Sequence, residues 1–272
     1  MMTKRPVLIR CLPLRLRQLL LDHYYRARRE RWASLYENAP LRTRGVKMRL
    51  LPGDWISDQI AFTGIYELGL TERVILLGRK GGTMIDVGAN LGYFSLLWTA
   101  CNPSNHCIAF EAAPRNLEIL SNNVSNNSFE ERIVIVPCAA AAQPGKVQFD
   151  LGPDDQTGWG GITYDDRGGS IEVEAVRLDT VLSRDNPIAL LKVDTEGADT
   201  LVLLGCEDLL KRKMVREIWF EQNKPRMKLL GIDEDQAQAY LESLGYVCTP
   251  NGGPNDPLVE WTAVPRDSQL HL

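Results

Sequence analysis

The stretch GGTMIDVGANLGYFSLLW, residues 81–98, holds a short apolar run ending at Asp86 and Val87, a turn carrying Gly88, Asn90 and Gly92, and a second apolar run from Leu91. The first run has the length of a buried strand and the second the spacing of a helix, so the stretch reads as strand, tight turn and helix. Small residues in such a turn let backbone amides approach a ligand, and the helix N-terminus behind them adds a favourable field for an anionic group. A nucleotide-like cofactor is therefore expected over this turn, outside the carboxyl ends of the strands.

The same rhythm continues on either side. Strands are expected near 83–87, 106–111, 132–137, 188–194 and 215–221, with helices near 91–101, 114–125, 198–212 and 233–244. TGIYELGLTERVILLGRK reads as a helix ahead of the first strand, and the C-terminal GYVCT and LVEWTAV as an antiparallel pair at one sheet edge. The fold class that follows is α/β and Rossmann-like, a mostly parallel seven-stranded sheet with helices on both faces. KVQFDL and SIEVEAVRL alternate like strands around a Gly- and Asp-rich segment, so residues 146–178 read as a hairpin insertion with a long, functional loop.

At 272 residues and 44% hydrophobic content the chain can bury a sizeable core. Its net charge of −4 is unevenly distributed: residues 1–50 hold 13 Lys and Arg against 3 Asp and Glu. That asymmetry suggests a basic, helical N-terminal extension over 1–50, with a helix near 14–37, and a main domain over 51–272. The extension could be a solvated face, or could dock to an acidic partner or a membrane surface. No apolar run reaches the about 18 residues a membrane span needs, and arginines interrupt VLIRCLPLRLRQLLL where a secretory signal would lie. Six cysteines scattered without a CxxC pair fit isolated core thiols in a reducing cytoplasm.

The turn discriminates between cofactors. Dinucleotide binding uses GxGxxG, whereas Asn90 stands where a glycine would let pyrophosphate meet the backbone. An Asn side chain can instead hydrogen-bond the carboxylate or amine of S-adenosylmethionine (SAM), which has no phosphate. Glu111 ends the second expected strand, 19 residues beyond Gly92, where an acid can accept both ribose hydroxyls of either NAD or SAM.

Taken together, GIYE, IDVGANLGYFSL, FEAAPRN, RLDTVL and LLKVDTEGADTLVLLG resemble the FkbM family of SAM-dependent methyltransferases over about residues 54–222. The resemblance implies a class I methyltransferase fold and methyl transfer, commonly to a hydroxyl of a sugar or natural-product-like small molecule. One departure is Ala112 in FEAAPRN, where members of the family often carry proline. The cofactor residues expected are Glu67, Asp86, Gly88, Asn90, Gly92, Glu111 and Asn116, with Tyr66 and Glu67 either closing over the methionine end or standing as ordinary residues at a helix start, and Asp86 an orienter beneath the turn.

Methyl transfer needs alignment of acceptor, methyl and sulfur, and assistance in losing the acceptor proton. None of His23, His106 and His271 falls at a strand end expected to face the cofactor. Asp194 and Glu196 follow the strand IALLKV and Glu221 follows EIWF, so Asp194 is the first candidate for a base or acceptor-orienting group and Glu196 the second. Either Thr195 or Glu196 could instead cap the following helix. Asp194, Glu196 and Glu221 together could hold Mg²⁺. Lys192 shares a strand face with Asp194 and could pair with an acid or bind substrate; Trp159, flanked by glycines, could stack on the acceptor or anchor its loop. The alternatives are an NAD-dependent oxidoreductase and a non-catalytic SAM-binding or partner-docking module. Nucleic acid is disfavoured as a partner, because the main domain is acidic and has no NPPY-like base-binding motif.

Overall fold

The computed structural model describes residues 5, 12–21, 33–43, 45–165, 169–253 and 255–267. Its main sheet has seven strands: β1 Thr83–Val87, β2 His106–Phe110, β3 Ile133–Val136, β4 Ile188–Val193, β5 Ile218–Asn223, β6 Tyr246–Pro250 and β7 Leu258–Pro265. They lie side by side in the order β3-β2-β1-β4-β5-β7-β6. β7 runs antiparallel to both its neighbours and the other pairs are parallel. The Rossmann-like expectation, including the antiparallel C-terminal pair, is what the chain forms.

The sheet is covered on both faces, and the period of two along each strand decides which residue goes where. Met84 of β1 and Leu190 of β4 face one layer, built from α2 (Leu68–Gly78), α3 (Tyr93–Cys101) and α4 (Pro114–Asn126) through Val74, Leu97, Trp98 and Leu120. Ile85, Val87, Leu191 and Val193 face the other, built from α5 (Asp199–Leu204), α6 (Glu207–Lys211) and α8 (Gln236–Ser243). The single helix expected over 198–212 is thus two. It breaks at Gly205, where the backbone passes so near Ala141 that an added Cβ would lie 2.2 Å from the Ala141 carbonyl oxygen.

The composition break near residue 50 does not coincide with an edge of the core. Leu35, Tyr36, Ala39, Val46, Met48 and Leu50 are buried in the same cluster as Leu97 and Trp98. The Tyr36 hydroxyl donates to Asp58 at 2.6 Å, and Asn123 of α4 accepts from the Arg49 amide at 2.6 Å. Of the long helix expected over 14–37, Leu14–Leu20 and Ala33–Glu37 are helical, and residues 22–32 lie outside the described residues. His23, His271 and Cys11 lie outside them as well. The five described cysteines are free. Among the described residues no helix is long and apolar enough to cross a membrane.

The insertion is more than a hairpin. Gly145–Asp150 and Ser170–Val176 pair antiparallel as expected, and the short strands Ala139–Ala140 and Gly161–Ile162 extend them into a separate four-stranded sheet. Between its strands the chain returns across the main sheet's carboxyl edge in a 3-10 turn, Thr157–Trp159. Side chains of neighbouring elements hold it there. Asp54 caps α1 (Trp55–Thr63) by accepting from the Ser57 amide with one oxygen, and with the other accepts from the Thr157 amide at 2.8 Å and hydroxyl at 3.0 Å. Arg115 donates to the carbonyls of Leu151, Gly152 and Pro153. Asn116 donates to the Thr157 carbonyl at 3.2 Å.

Asp54 is 1% exposed. Its replacement by Ala removes a helix cap and leaves a buried amide unpaired, so Asp54→Ala is expected to cost about 2–4 kcal/mol in urea unfolding. It should also speed proteolytic cleavage within residues 153–160, while Asp54→Asn retains most of both properties.

Candidate active site

The β1–α3 turn takes its shape from left-handed backbone: φ is +74° at Gly88, +50° at Asn90 and +92° at Gly92. Gly88 is required because the end of β4 passes beside it, and an added Cβ would lie 1.9 Å from the Asp194 carbonyl oxygen. The amides of Gly88 and Ala89 both donate to the Phe110 carbonyl, and the Asp194 amide to Val87, so the ends of β1, β2 and β4 are tied together at this point. Gly92 serves packing: its missing Cβ makes room for Leu120, 2.6 Å away. Neither Gly92 nor Asp86 is on the wall of the cavity that opens above the turn; both lie beneath it.

Lys192 lies under the turn. It is 1% exposed, and its Nζ sits 3.3 Å from Asp86 on the neighbouring strand and 3.3 Å from Asp194 two residues on. Nζ also donates to the Gly88 carbonyl at 3.1 Å and stands 5.5 Å from the centre of the Phe94 ring. Burial acts to lower its pKa, yet the charges of Asp194, Asp86 and Glu67 hold it above the usual lysine value. The ammonium is therefore a fixed cation committed to the framework, and the substrate-binding role open to it from sequence is not the one its contacts describe. Asp86 completes the arrangement by accepting from the Ser95 hydroxyl at 2.6 Å.

Above these groups lies a cavity of about 930 Å³, near the upper end of the about 300–1,000 Å³ usual for small-molecule sites. Glu67, Gly88, Asn90, Glu111, Asn116, Trp159, Lys192, Asp194, Glu196 and Glu221 all line it. Glu111 accepts from the Asn90 amide at 2.7 Å with one oxygen, and from the Ala113 amide at 2.8 Å and Asn116 at 3.4 Å with the other. Burial raises its pKa, and those donors oppose the rise. The Oδ1 atoms of Asn90 and Asn116 and Oε1 of Glu221 are buried without a partner. Of the five non-glycine residues with left-handed φ among those described, Glu67, Asn90 and Glu196 line this cavity. Such backbone strain costs about 1–3 kcal/mol each and gathers at functional sites.

The floor is acidic. Glu221 of β5 sits opposite Glu260 of β7 in register, with Asp194, Glu196 and Glu67 around them. Burial first, then the Asp194 charge, pushes the carboxyl of Glu196 up to about 7, that of Glu67 to about 8 and that of Glu221 to about 10. Asp199, at the start of α5, bridges the strand ends by accepting from the Glu221 amide at 2.9 Å and the Thr195 hydroxyl at 2.7 Å. The N-cap of α5 is Ala198, with no side-chain cap bond, so neither Thr195 nor Glu196 takes the capping part considered for them; Glu196 instead accepts from Asn223 at 2.9 Å. The proposed metal set is corrected: among the described residues no three His, Cys, Asp or Glu side chains are arranged to hold a metal ion, Asp194, Glu196 and Glu221 included.

Asp54, Arg115, Asp199, Arg226 and Glu260 were not singled out from sequence. Asp54 had a readable signal as a cap before WISDQIAF. Arg226 and Glu260 had none, since their roles depend on which strands become neighbours.

The sequence model described as "Methyltransferase FkbM domain" matches residues 86–248. The chain is 29% identical over 187 residues to "Methyltransferase sdnD" of Sordaria araneosa, covering 56% of this chain and 72% of that protein. It is also 29% identical over 161 residues to "31-O-demethyl-FK506 methyltransferase FkbM" of Streptomyces tacrolimicus, covering 48% of this chain and 61% of that protein. A more distant likeness, at 12% identity and a TM-score of 0.43, is to "a putative caffeoyl-CoA O-methyltransferase from Staphylococcus aureus", over 74% of this chain and 85% of that one.

Removing Lys192 leaves the buried Asp86 carboxylate without its cation and the part-exposed Asp194 unpaired beside it, so Lys192→Met should lower the unfolding free energy by about 3–5 kcal/mol. The raised carboxyls set a pH dependence of opposite sign to that of a paired acid. Each retains its proton in the folded state after the unfolded chain has lost it, so their contribution is full below the ordinary glutamate value of 4.5 and falls away as pH rises towards about 7 for Glu196 and about 10 for Glu221. Melting temperature should therefore fall between pH 5 and pH 9, and fall less in Glu221→Gln, with the two proteins converging near pH 5.

Proposed function

The chain belongs to the FkbM family of methyltransferases, and on that premise we propose that it transfers the methyl group of S-adenosylmethionine to a hydroxyl oxygen of a small organic acceptor. The observation that carries the cofactor is the charge of the cavity. Among the described residues that line it, Lys192 is the one Lys or Arg, already committed to Asp86 and Asp194, while Glu67, Glu111, Asp194, Glu196, Glu221 and Glu260 are acids. A bound sulfonium and ammonium suit that lining, because they favour ionisation of acids that burial otherwise keeps protonated. The pyrophosphate of NAD does not, and Asn90 occupies the turn position where it would sit.

The unpartnered Oδ1 atoms of Asn90 and Asn116 fit a ligand that brings hydrogen-bond donors. Glu111 would hold the ribose hydroxyls, Asn90 and the Gly88 backbone the amino-acid end, and Glu67 the ammonium. When bound, SAM supplies a methyl group on positively charged sulfur. The chain's own residues then place the acceptor and take its proton. Asp194, with its side chain 29% exposed and fixed by Lys192, is the group best set to orient or deprotonate a hydroxyl. Glu196, at about 7, is the second, since a base works best with a pKa near the working pH. Glu221, at about 10, keeps its proton and can donate to the acceptor oxygen.

The mouth of the cavity describes the rest of the acceptor. Trp55, Leu68, Trp159 and Leu258 are 38–51% exposed and all line it, an apolar rim above an acidic floor. That combination favours a neutral or cationic acceptor with an apolar body over a phosphorylated sugar. The name 31-O-demethyl-FK506 methyltransferase places a missing methyl on oxygen, which supports oxygen over nitrogen or carbon here. Glu111, Asp194 and Glu196 all line the cavity, which favours catalysis over a purely SAM-binding module.

Calorimetry tests the reading. S-adenosylhomocysteine should bind with micromolar affinity and NAD should not, and Glu111→Ala should weaken binding at least about tenfold, or about 1.4 kcal/mol. A folded protein that binds NAD and not S-adenosylhomocysteine would reverse the assignment.

A further inference from the structure

One cation at the edge of the site is unused by the reaction described above. Arg226 lies in α7 (Lys224–Leu229), which follows β5, and reaches back to the 3-10 turn of the insertion. Its Nη2 donates to the Trp159 carbonyl at 2.7 Å, its guanidinium carbon stands 6.0 Å from the centre of the Trp159 ring, and its Nε lies 3.6 Å from Glu196 Oε2. Two glycines leave it space. A Cβ on Gly161 would lie 3.3 Å from Arg226 Nη1, and one on Gly197, whose φ is +95°, would lie 2.7 Å from the Arg226 Cβ.

The other fastenings of the turn stop short of this tryptophan. Asp54 and Asn116 both hold Thr157, and Arg115 holds residues 151–153. Trp159 itself is 51% exposed and is held from the acceptor side by Arg226. A planar guanidinium can bond a carbonyl and a carboxylate while lying against an indole, which an ammonium on a flexible stem does less well.

We propose that Arg226 is the positioning residue of the acceptor subsite, fixing Trp159 of the apolar rim and Glu196 of the acidic floor relative to one another. This deepens, and rests on, the methyl-transfer reading. The adenosyl part of the site, at Glu111 and Asn116, is built without it.

The test is the fluorescence of Trp159, isolated by subtracting the spectrum of the matching Trp159→Phe protein. In Arg226→Met the Trp159 emission should shift to the red and its acrylamide quenching constant should rise about twofold, as expected for a ring that loses its local contact. Arg226→Lys should restore part of the change, and Arg226→Gln serves if the Met variant does not fold. S-adenosylhomocysteine affinity should stay within about threefold of the wild type in all of them. Unchanged Trp159 emission and quenching in Arg226→Met or Arg226→Gln overturns the proposal. So does a change that comes with parallel loss of S-adenosylhomocysteine binding and of melting temperature, because that is general destabilisation. If the wild type binds no S-adenosylhomocysteine, the methyl-transfer reading fails, and the positioning of Trp159 is judged by its fluorescence alone.

Discussion

The placement of Lys192 between Asp86 and Asp194 is the constraint on which the site depends. An ammonium taken out of water is costly unless every one of its donors is met, and here the partners are two carboxylates and the Gly88 carbonyl. Asp86 and Lys192 are register partners on adjacent parallel strands, so the pair can form only if β1 and β4 align as they do. The bond to Gly88 then fixes the turn from below, and the absence of a Cβ on Gly88 lets the Asp194 backbone close over it. Sheet register, turn conformation and the direction of the first catalytic candidate are therefore one problem with one solution.

That solution separates the acids by environment. Asp194 shares the charge of Lys192, whereas Glu67, Glu196 and Glu221 are half-buried around it and are pushed upward by loss of water and by its charge. Groups of one chemical type thereby become able to orient, accept and donate within a single cavity. Two of these acids, Glu67 and Glu196, also hold left-handed backbone beside the cavity, the kind of strain that gathers at functional sites.

Much of this was legible in the sequence, and for a physical reason. Strands buried on both faces, such as TMIDV and IALLKV, are continuous apolar runs, and the turn glycines are demanded by local backbone, so β1, the turn, α3 and the acids at strand ends can be read from short windows. The break in helix 198–212 could not, because Gly205 is set by its approach to Ala141 far along the chain. Nor could the commitment of Lys192, since period two puts it beside Asp194 but gives no sign of Asp86 across the sheet. Residues 33–50 show the same limit: basic composition suggested an appendage, while Tyr36, Met48 and Leu50 are buried in the core. Surface charge records what a segment shows to water and not what it buries.

The insertion follows from this division of labour. The main sheet supplies a floor and one wall, and its carboxyl edge alone would leave the cavity open to solvent. The chain closes that edge with a segment fastened at separate places to α1, to α4 and to α7, through Asp54, through Arg115 and Asn116, and through Arg226. The α4 fastenings belong to the same FEAAPRN block that carries Glu111, so the acid proposed to hold the ribose and the latch of the covering turn are neighbours in one short segment. The α7 fastening follows directly on β5, the strand that carries Glu221. A change in the covering turn near Thr157 should therefore be felt at the cofactor, and one near Trp159 at the acceptor, although the two residues sit in the same 3-10 turn.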